Sequence, residues 1–406
     1  MIELGLARIQ KLLQRTPQTW KAIHVAGTNG KGSICAYLTA MLRASNITCA
    51  KFTSPHLIDR WDCISINDQA VSEAVFRHYE DLVKQRNTEW QVDATEFELL
   101  TATAFEIFEA EKVQVGVVEV GLGGRLDATN VLKQKTVTVL SKIGLDHQFL
   151  LGDTLSEIAL QKAGIMRQGV PCVADASNPQ PVLDVFRVHS QGVGASLKVI
   201  TPESSQVVLA LQEHLEPHQK QNLALAHEAF RTAFPQYAQA SEILIPAVRN
   251  ISWPGRLQLI DTKSVTGREE PVLLDGAHNP QSAEVLAAYV DRRLRESTAA
   301  QPVTWVLAAS QGKDLTEIMK FLIRPGDHVG AVEFGPVDGM PWVQPMKTED
   351  ILNSAGSAHP GSRHDAGADI ENALRWASST ASGGPLVVAG SLYLVSDVLR
   401  LLRGTP

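Results

Sequence analysis

Seven residues limit the fold of this chain more than any others: Gly27-Thr28-Asn29-Gly30-Lys31-Gly32-Ser33. The apolar run 22–26 before them reads as a buried strand. After them Ile34, Tyr37, Leu38, Met41 and Leu42 recur at helical spacing and form one apolar face. A glycine-rich turn between a strand and a helix aims bare backbone N–H groups and the positive end of the helix dipole at an anion. Lys31 has the reach for terminal phosphates, and Ser33 carries a hydroxyl suited to a magnesium ion. The spacing departs from the standard nucleotide loop, because Val25 stands at its first glycine position and Gly32 separates Lys31 from Ser33. A tight turn that happens to hold a lysine is the plain alternative. Three glycines, a lysine and a serine in seven residues favour phosphate binding over it.

A length of 406 residues fits two domains, and 44% hydrophobic residues supply ample core. The net charge of −7 removes the basic field that nucleic acid or an anionic membrane would need, so an anionic ligand must be met by local cations. Cys35, Cys49, Cys63 and Cys172 contain no C-x-x-C pair. That argues against a disulfide framework or a cysteine zinc site, and for reduced thiols inside the cell. With no leader-like N-terminus and no apolar window of spanning length, a cytoplasmic protein without a membrane partner is expected; a mitochondrial pool is left open.

Helices are expected at 1–15, 72–85, 97–111, 154–167 and 219–234, and strands at 47–52, 113–120, 136–143 and 170–174. The segment 177–215 carries no clear period. Trp253-Pro254-Gly255-Arg256 breaks regular structure, and a strand–helix alternation restarts beyond it, with strands at 271–275, 303–309, 327–333 and 385–390 and a last helix at 391–403. The small-residue segment 378–384 reads as a surface loop. Alternation of this kind means α/β architecture with mainly parallel sheets, divided into domains at 1–256 and 257–406.

Ser54, Glu119 and His147 stand at the ends of buried strands, where open α/β sheets place their ligands. A carboxylate and a hydroxyl beside a phosphate loop suit magnesium, with the imidazole acting directly or through water. Separately, each has a structural alternative; together they favour a site. Gly121-Leu122-Gly123-Gly124 reads either as a tight turn or as a loop on which a flat substrate lies, with Asp127 as acceptor. Lys162 reads as a solvated lysine on its helix. In Asp275-Gly276-Ala277-His278-Asn279-Pro280, Asn279 can cap a helix whose first residue is Pro280, leaving Asp275 and His278 for ligand contacts.

Ten runs in order, GTNGKGS (27–33), FTSPHL (52–57), TEFELLTATAF (95–105), VVEVGLGGRLDATN (117–130), LDH (145–147), KAGI (162–165), HQKQN (218–222), WPGR (253–256), LDGAHNP (274–280) and VAGSLYLV (388–395), span nearly the whole chain. Together they resemble the folylpolyglutamate synthase/dihydrofolate synthase family of Mur-type ATP-dependent amide ligases. The resemblance implies an N-terminal P-loop-type ATPase domain and a smaller C-terminal Rossmann-like domain. It also implies a reaction: ATP phosphorylates a pteroate carboxylate, and the amine of L-glutamate displaces phosphate to form an amide. Positioning and charge neutralisation would then carry catalysis.

By the same resemblance, Asn29, Gly30, Lys31, Gly32, Ser33, Asn222, Arg256 and Asp275 contact ATP. Ser54, Glu119 and His147 are similar to the magnesium ligands, with one ion or two and a monovalent cation as an option. Lys31 and His147 would be catalytic, as would Lys162, which aligns with a lysine that the family carbamylates; this displaces its reading as a solvated side chain. Thr95, Glu96, Phe97, Glu98, Leu126, Asp127, Ala128 and His278 look like contacts to the substrate. Gln161 stands where the family usually has glutamate, and Glu216 where it commonly has glycine. The 121–130 loop and the runs 339–342 and 390–394 resemble the family's dihydrofolate synthases most, so dihydropteroate and L-glutamate are the expected substrates of an expected monomer. A folylpolyglutamate synthase or bifunctional enzyme is the alternative, and a nucleotide-binding protein without catalysis the distant one.

Overall fold

The computed structural model describes residues 5–237, 240–251, 253–296, 301–356 and 359–404. It divides into two compact units, one of the described residues within Met1–His56 and Trp61–Ser252, the other of those within Leu57–Arg60 and Trp253–Pro406. Compared with a division at 256, residues 57–60 and 253–256 join the second unit.

The first unit is built on eight strands: β1 (Lys21–Ala26), β2 (Cys49–Phe52), β3 (Ile64–Ile66), β4 (Gln69–Ala70), β5 (Val115–Glu119), β6 (Lys135–Leu140), β7 (Cys172–Asp175) and β8 (Leu197–Ile200). Their order is β4-β3-β2-β5-β1-β6-β7-β8. From β2 to β8 every neighbour is parallel, while β3 and β4 form an antiparallel edge. β5 is buried at every position, as its unbroken apolar run requires of a strand covered on both faces. One face packs Trp20, Phe52, Phe76, Phe105 and Phe108; the other packs Leu140, Ile158 and Phe186. Gly116 is needed in β5 because a Cβ there would lie 2.6 Å from the Trp20 ring.

The second unit has β9 (Gln258–Ile260), β10 (Val272–Leu274), β11 (Thr304–Leu307), β12 (His328–Ala331), β13 (Arg363–Asp365) and β14 (Leu386–Ala389), in the order β13-β12-β11-β14-β10-β9. All pairings are parallel except β9 with β10. The segment Leu57–Arg60 is held within this unit: Arg400 Nη2 donates to the Ile58 carbonyl at 2.6 Å, and Arg403 pairs with Asp59 at 2.9 Å.

Several expected elements differ. The first helix runs Ala7–Leu12; its expected start, including Ile2, lies outside the described residues. The helix expected to reach 167 is Leu155–Ala163, ending at Gly164, whose missing side chain makes room for Arg125: a Cβ there would lie 2.4 Å from the Arg125 Cβ. The segment without a period holds the helices Gln180–Val193 and Gln206–Leu211 and the strand β8. The expected loop at 378–384 begins as helix, since Ile370–Ala381 continues into it. All four cysteines are free and buried. No helix among the described residues is long and apolar enough to cross a membrane.

Candidate active site

β1 lies between β5 and β6, with β2 on the far side of β5, and all four run parallel. Their carboxyl ends therefore share one edge of the sheet. The 27–33 turn leaves β1 at that edge, Ser54 follows β2, Glu119 ends β5, and His147 lies in the loop after β6. Four segments far apart in sequence converge because the strand order interleaves them.

The turn leads into the helix Lys31–Ala44. Its N-cap is Gly30, at φ +89°, with no side-chain cap. The first N–H groups of a helix have no intrahelical acceptor, and here no cap oxygen takes their place. Two close approaches exclude side chains from the turn. A Cβ on Gly27 would lie 1.7 Å from Ser141 Oγ, and one on Gly30 would lie 2.3 Å from Asn222 Oδ1. Asn222, buried on the helix Pro217–Ala233, thus reaches the turn directly. Glu216 N-caps that helix ahead of Pro217, and its N–H donates to Gln219 Oε1 at 2.9 Å. The result is a cradle of backbone donors shaped for an anion such as phosphate.

Lys31 Nζ stands 3.6 Å from Glu119 Oε1 and donates to the Thr28 carbonyl at 3.2 Å. Glu119 is buried, and its Oε2 lies 3.7 Å from where a Gly32 Cβ would be, beside the first turn of the helix. Ser54 is half-buried; His147 is exposed, in a left-handed conformation (φ 53°, ψ 35°), its N–H donating to Asp146 Oδ1 at 2.9 Å. Among the described residues no three His, Cys, Asp or Glu side chains gather as a ready-made metal cage. A buried carboxylate and a hydroxyl at the same edge instead suit magnesium, which keeps several waters and binds through one or two carboxylates plus phosphate oxygens. The donor set fits the ion.

Lys162 is not solvated. It is buried near the end of its helix, and Nζ donates to the Gly27 carbonyl at 2.9 Å. Burial, and then the neighbouring Lys31 cation, lower its pKa to about 7, with Asp146 and Asp127 opposing. The preceding Gln161 gives its carbonyl to the Arg125 N–H, fixing the 121–127 loop to this helix.

In that loop Leu126 is exposed and Ala128 buried. Asp127 is buried, and its carboxylate is engaged by the loop itself: the Leu122 N–H donates to Oδ2 at 2.8 Å, and the Thr129 N–H and hydroxyl donate to Oδ1. Burial pushes its pKa up and these donors pull it back. Thr95 and Glu98 likewise serve the helix Glu96–Ala110 as a reciprocal capping box, and Arg8 pairs with Glu98 at 2.9 Å. Glu96 is half-buried. Phe97 stacks on Phe52 at 6.1 Å and lies where a Gly121 Cβ would be, 2.3 Å from the ring, so the 95–98 segment meets the start of the loop.

In the second unit, Asp275 is buried and gives one oxygen to the Leu257 N–H and the other to the Ala277 N–H, both at 2.8 Å. Its carboxylate is thus engaged in holding the Trp253–Arg256 turn to the end of β10. Arg256 is exposed, and Gly276 leaves it room, since a Cβ there would lie 2.3 Å from Nη1. His278 Nδ1 lies 2.9 Å from the Gly276 carbonyl. Asn279 caps the helix Pro280–Val290, as its position before Pro280 implies.

Two buried groups escaped the sequence reading. His24, in the middle of β1, meets Thr129 Oγ1 at 2.8 Å. Lys135, at the start of β6, donates to Asn130 Oδ1 at 2.7 Å and to the Ile165 carbonyl at 2.9 Å; burial lowers its pKa to about 6. Asn130 in turn donates to the Arg125 and Gly164 carbonyls. A polar residue inside an apolar strand was the available signal for His24; Lys135, at the first position of its strand, gave none.

A family model described as the dihydrofolate synthetase C-terminal domain matches residues 258–401. The chain is 39% identical to a probable dihydrofolate synthetase of Schizosaccharomyces pombe, with 99% of each chain covered. It is 37% identical to the dihydrofolate synthetase of Saccharomyces cerevisiae, with 98% of each covered. It is similar in structure to a bifunctional folylpolyglutamate synthase/dihydrofolate synthase from Yersinia pestis complexed with AMPPNP and a manganese ion. That likeness has a TM-score of 0.78 at 27% identity, covering 99% of this chain and 94% of the other.

Proposed function

The chain belongs to the folylpolyglutamate synthase/dihydrofolate synthase family, and from that premise we propose that it is an ATP-dependent amide ligase joining L-glutamate to dihydropteroate. The observation that carries this reading is full-length similarity to two yeast dihydrofolate synthetases, on a sheet edge where an uncapped helix N-terminus, Lys31 and Glu119 stand together.

ATP and a divalent metal are the co-reactants, as the AMPPNP and manganese of the Yersinia relative support. Asn29, Gly30, Gly32, Ser33 and Lys31 receive the phosphates, Lys31 by charge and the others through the cradle. Asn222 flanks them. Ser54, Glu119 and His147 would hold magnesium, which would neutralise phosphate charge. The γ-phosphorus passes to the pterin acid's carboxylate oxygen with ADP leaving; the glutamate amine attacks the carbonyl carbon, and phosphate departs with that oxygen. No nucleophilic side chain is required, so positioning and electrostatics supply the rate.

Phe97, Thr95, Glu96 and Glu98, with Leu126, Asp127 and Ala128, form the substrate wall. Phe97 and Leu126 are its contact groups, whereas Asp127 and Glu98 act by holding the loop and the helix start. Lys162 takes up carbon dioxide as a carbamate: a buried amine with its pKa lowered to about 7 has a far larger neutral, nucleophilic fraction near neutral pH than an ordinary lysine. Arg256 and Asp275, expected as nucleotide contacts, and His278, expected as a substrate contact, lie in the second unit. The protein is cytoplasmic and acts as a monomer.

The test offers dihydropteroate and, separately, tetrahydrofolate, each with ATP, magnesium and L-glutamate. Amide formation from dihydropteroate alone is expected. Turnover of tetrahydrofolate alone would make the protein a polyglutamate synthase, and turnover of neither would leave only nucleotide binding.

A further inference from the structure

His24 lies three residues before Gly27 on β1 and is fully buried. Its Nε2 meets Thr129 Oγ1 at 2.8 Å. The Thr129 hydroxyl has one proton, and the Asp127 carboxylate, which accepts backbone N–H groups on both oxygens, takes it. Thr129 Oγ1 must then be the acceptor from His24, so the proton sits on Nε2. Nδ1, which has no partner among the described residues, is left bare. Burial, with Lys135 and Arg167 adding to it, keeps the ring neutral. The donors run in one direction, from His24 to Thr129 to Asp127, and Asp127 in turn fixes the Leu122 N–H.

We propose that His24 is a positioning residue for the pterin acid, fixing the 121–128 loop to the strand that carries the phosphate cradle. The inference rests on the function proposed above, in which that loop is the substrate wall. One strand thereby sets both where the phosphate is held and where the acid's ring lies. Without the relay the loop loses its side-chain tie to β1 and keeps the one from Arg125 to the Leu155–Ala163 helix, and the Thr129 hydroxyl beside Asp127 loses the donor that orients it. The phosphate turn has its own supports in Ser141, Asn222 and Lys142 and should be little disturbed.

The test is a split in KM. His24→Leu should raise KM for dihydropteroate about tenfold, the size of one lost buried hydrogen bond, and leave KM for ATP within about twofold. His24→Gln, whose amide can donate from nearly the place of Nε2, should restore KM for dihydropteroate to within about threefold of wild type. A purely structural role would lower the melting temperature and shift both KM values together or neither, and that result overturns the proposal, as does failure of His24→Gln to rescue. Nitrogen NMR on the wild type reads the ring without any variant: Nε2 protonated and Nδ1 bare is expected, and a protonated Nδ1 overturns the relay. No amide from dihydropteroate in the wild type would overturn the function and this proposal together. Normal turnover with an unaltered His24→Leu would overturn this proposal alone.

Discussion

The two units each contain a strand that runs through a glycine-bearing turn into a helix, and they finish the helix in opposite ways. After β1, the helix Lys31–Ala44 starts at Gly30, which offers no side-chain oxygen to its first N–H groups. After β10, the helix Pro280–Val290 starts at Asn279, whose Oδ1 accepts the Ser282 N–H at 2.9 Å, and Pro280 has no N–H to satisfy. Acids differ in the same sense: Glu119 stands beside the Lys31 ammonium, whereas both oxygens of Asp275 close backbone turns. A glycine-rich strand-to-helix turn is thus not by itself an anion site. The proposed phosphate site uses the turn whose helix start has no side-chain cap.

The largest effect should come from removing the cation of the open turn. Lys31→Ala should lower kcat by about a thousandfold, as loss of a charge-stabilising donor does, with a near-native circular dichroism spectrum. Near-normal turnover at saturating ATP would erase the distinction between the two turns.

Next is Gly30→Ala. Its Cβ would meet Asn222 Oδ1 at 2.3 Å in a backbone at φ +89°, so KM for ATP should rise about tenfold or more. Gly267→Ala is the control: it also has positive φ (+74°), but nothing lies within 4 Å, so it should cost about 1 kcal/mol of stability and leave KM unchanged. Equal effects at both would mean that strain alone, not the cradle, matters.

Lys162 gives a pH signature. Its pKa is lowered to about 7 in the folded protein, while an unfolded lysine titrates near about 10.4. Between those values the unfolded chain holds a proton that the folded protein has released. In buffer stripped of carbon dioxide, where Lys162 is the free amine, stability should therefore rise with pH across that window, and be lost as pH falls to about 7. Lys162→Met should flatten that slope, leaving the part due to Lys135; an unchanged slope would mean that Lys162 is not a buried amine. Stripping carbon dioxide should lower wild-type activity and not the residual activity of Lys162→Met.

The smallest effect belongs to the closed turn. Asn279→Ala should cost about 1 kcal/mol in denaturant unfolding, with kcat within about twofold of wild type. A large loss of kcat would show that this cap also serves the reaction.

The parts legible in the sequence were those with a strong period or a dense motif. β1 and the turn after it, the buried run of β5, and the Asn279–Pro280 helix start all announced themselves. The region 177–215 did not. Its helix Gln180–Val193 buries only Val182, Leu183, Phe186 and Ser190 and ends among glycines, and β8 is a half-exposed edge, so neither carries a full apolar face. β9 and β13 are three-residue edges, too short for alternation to register. Within the site, residue type alone did not reveal where a polar group also serves the chain itself. Asp127 and Glu98 look like ligand contacts, yet they hold backbone N–H groups; the Thr-x-x-Glu spacing at 95–98 was a readable capping signal. The burial of Lys162 was legible only through the resemblance, because nothing in its helix reveals that the neighbouring turn covers it.

The most direct measurement follows oxygen. Dihydropteroate labelled with heavy oxygen in its carboxylate is turned over with ATP, magnesium and L-glutamate, and the released phosphate is weighed. If a carboxylate oxygen attacks the γ-phosphorus at the open turn and leaves with it when the amine arrives, each phosphate carries one labelled oxygen and the nucleotide product is unlabelled ADP. Label found in AMP, or retained entirely in the pterin products, would contradict phosphoryl transfer to the acid and with it the account of the open turn.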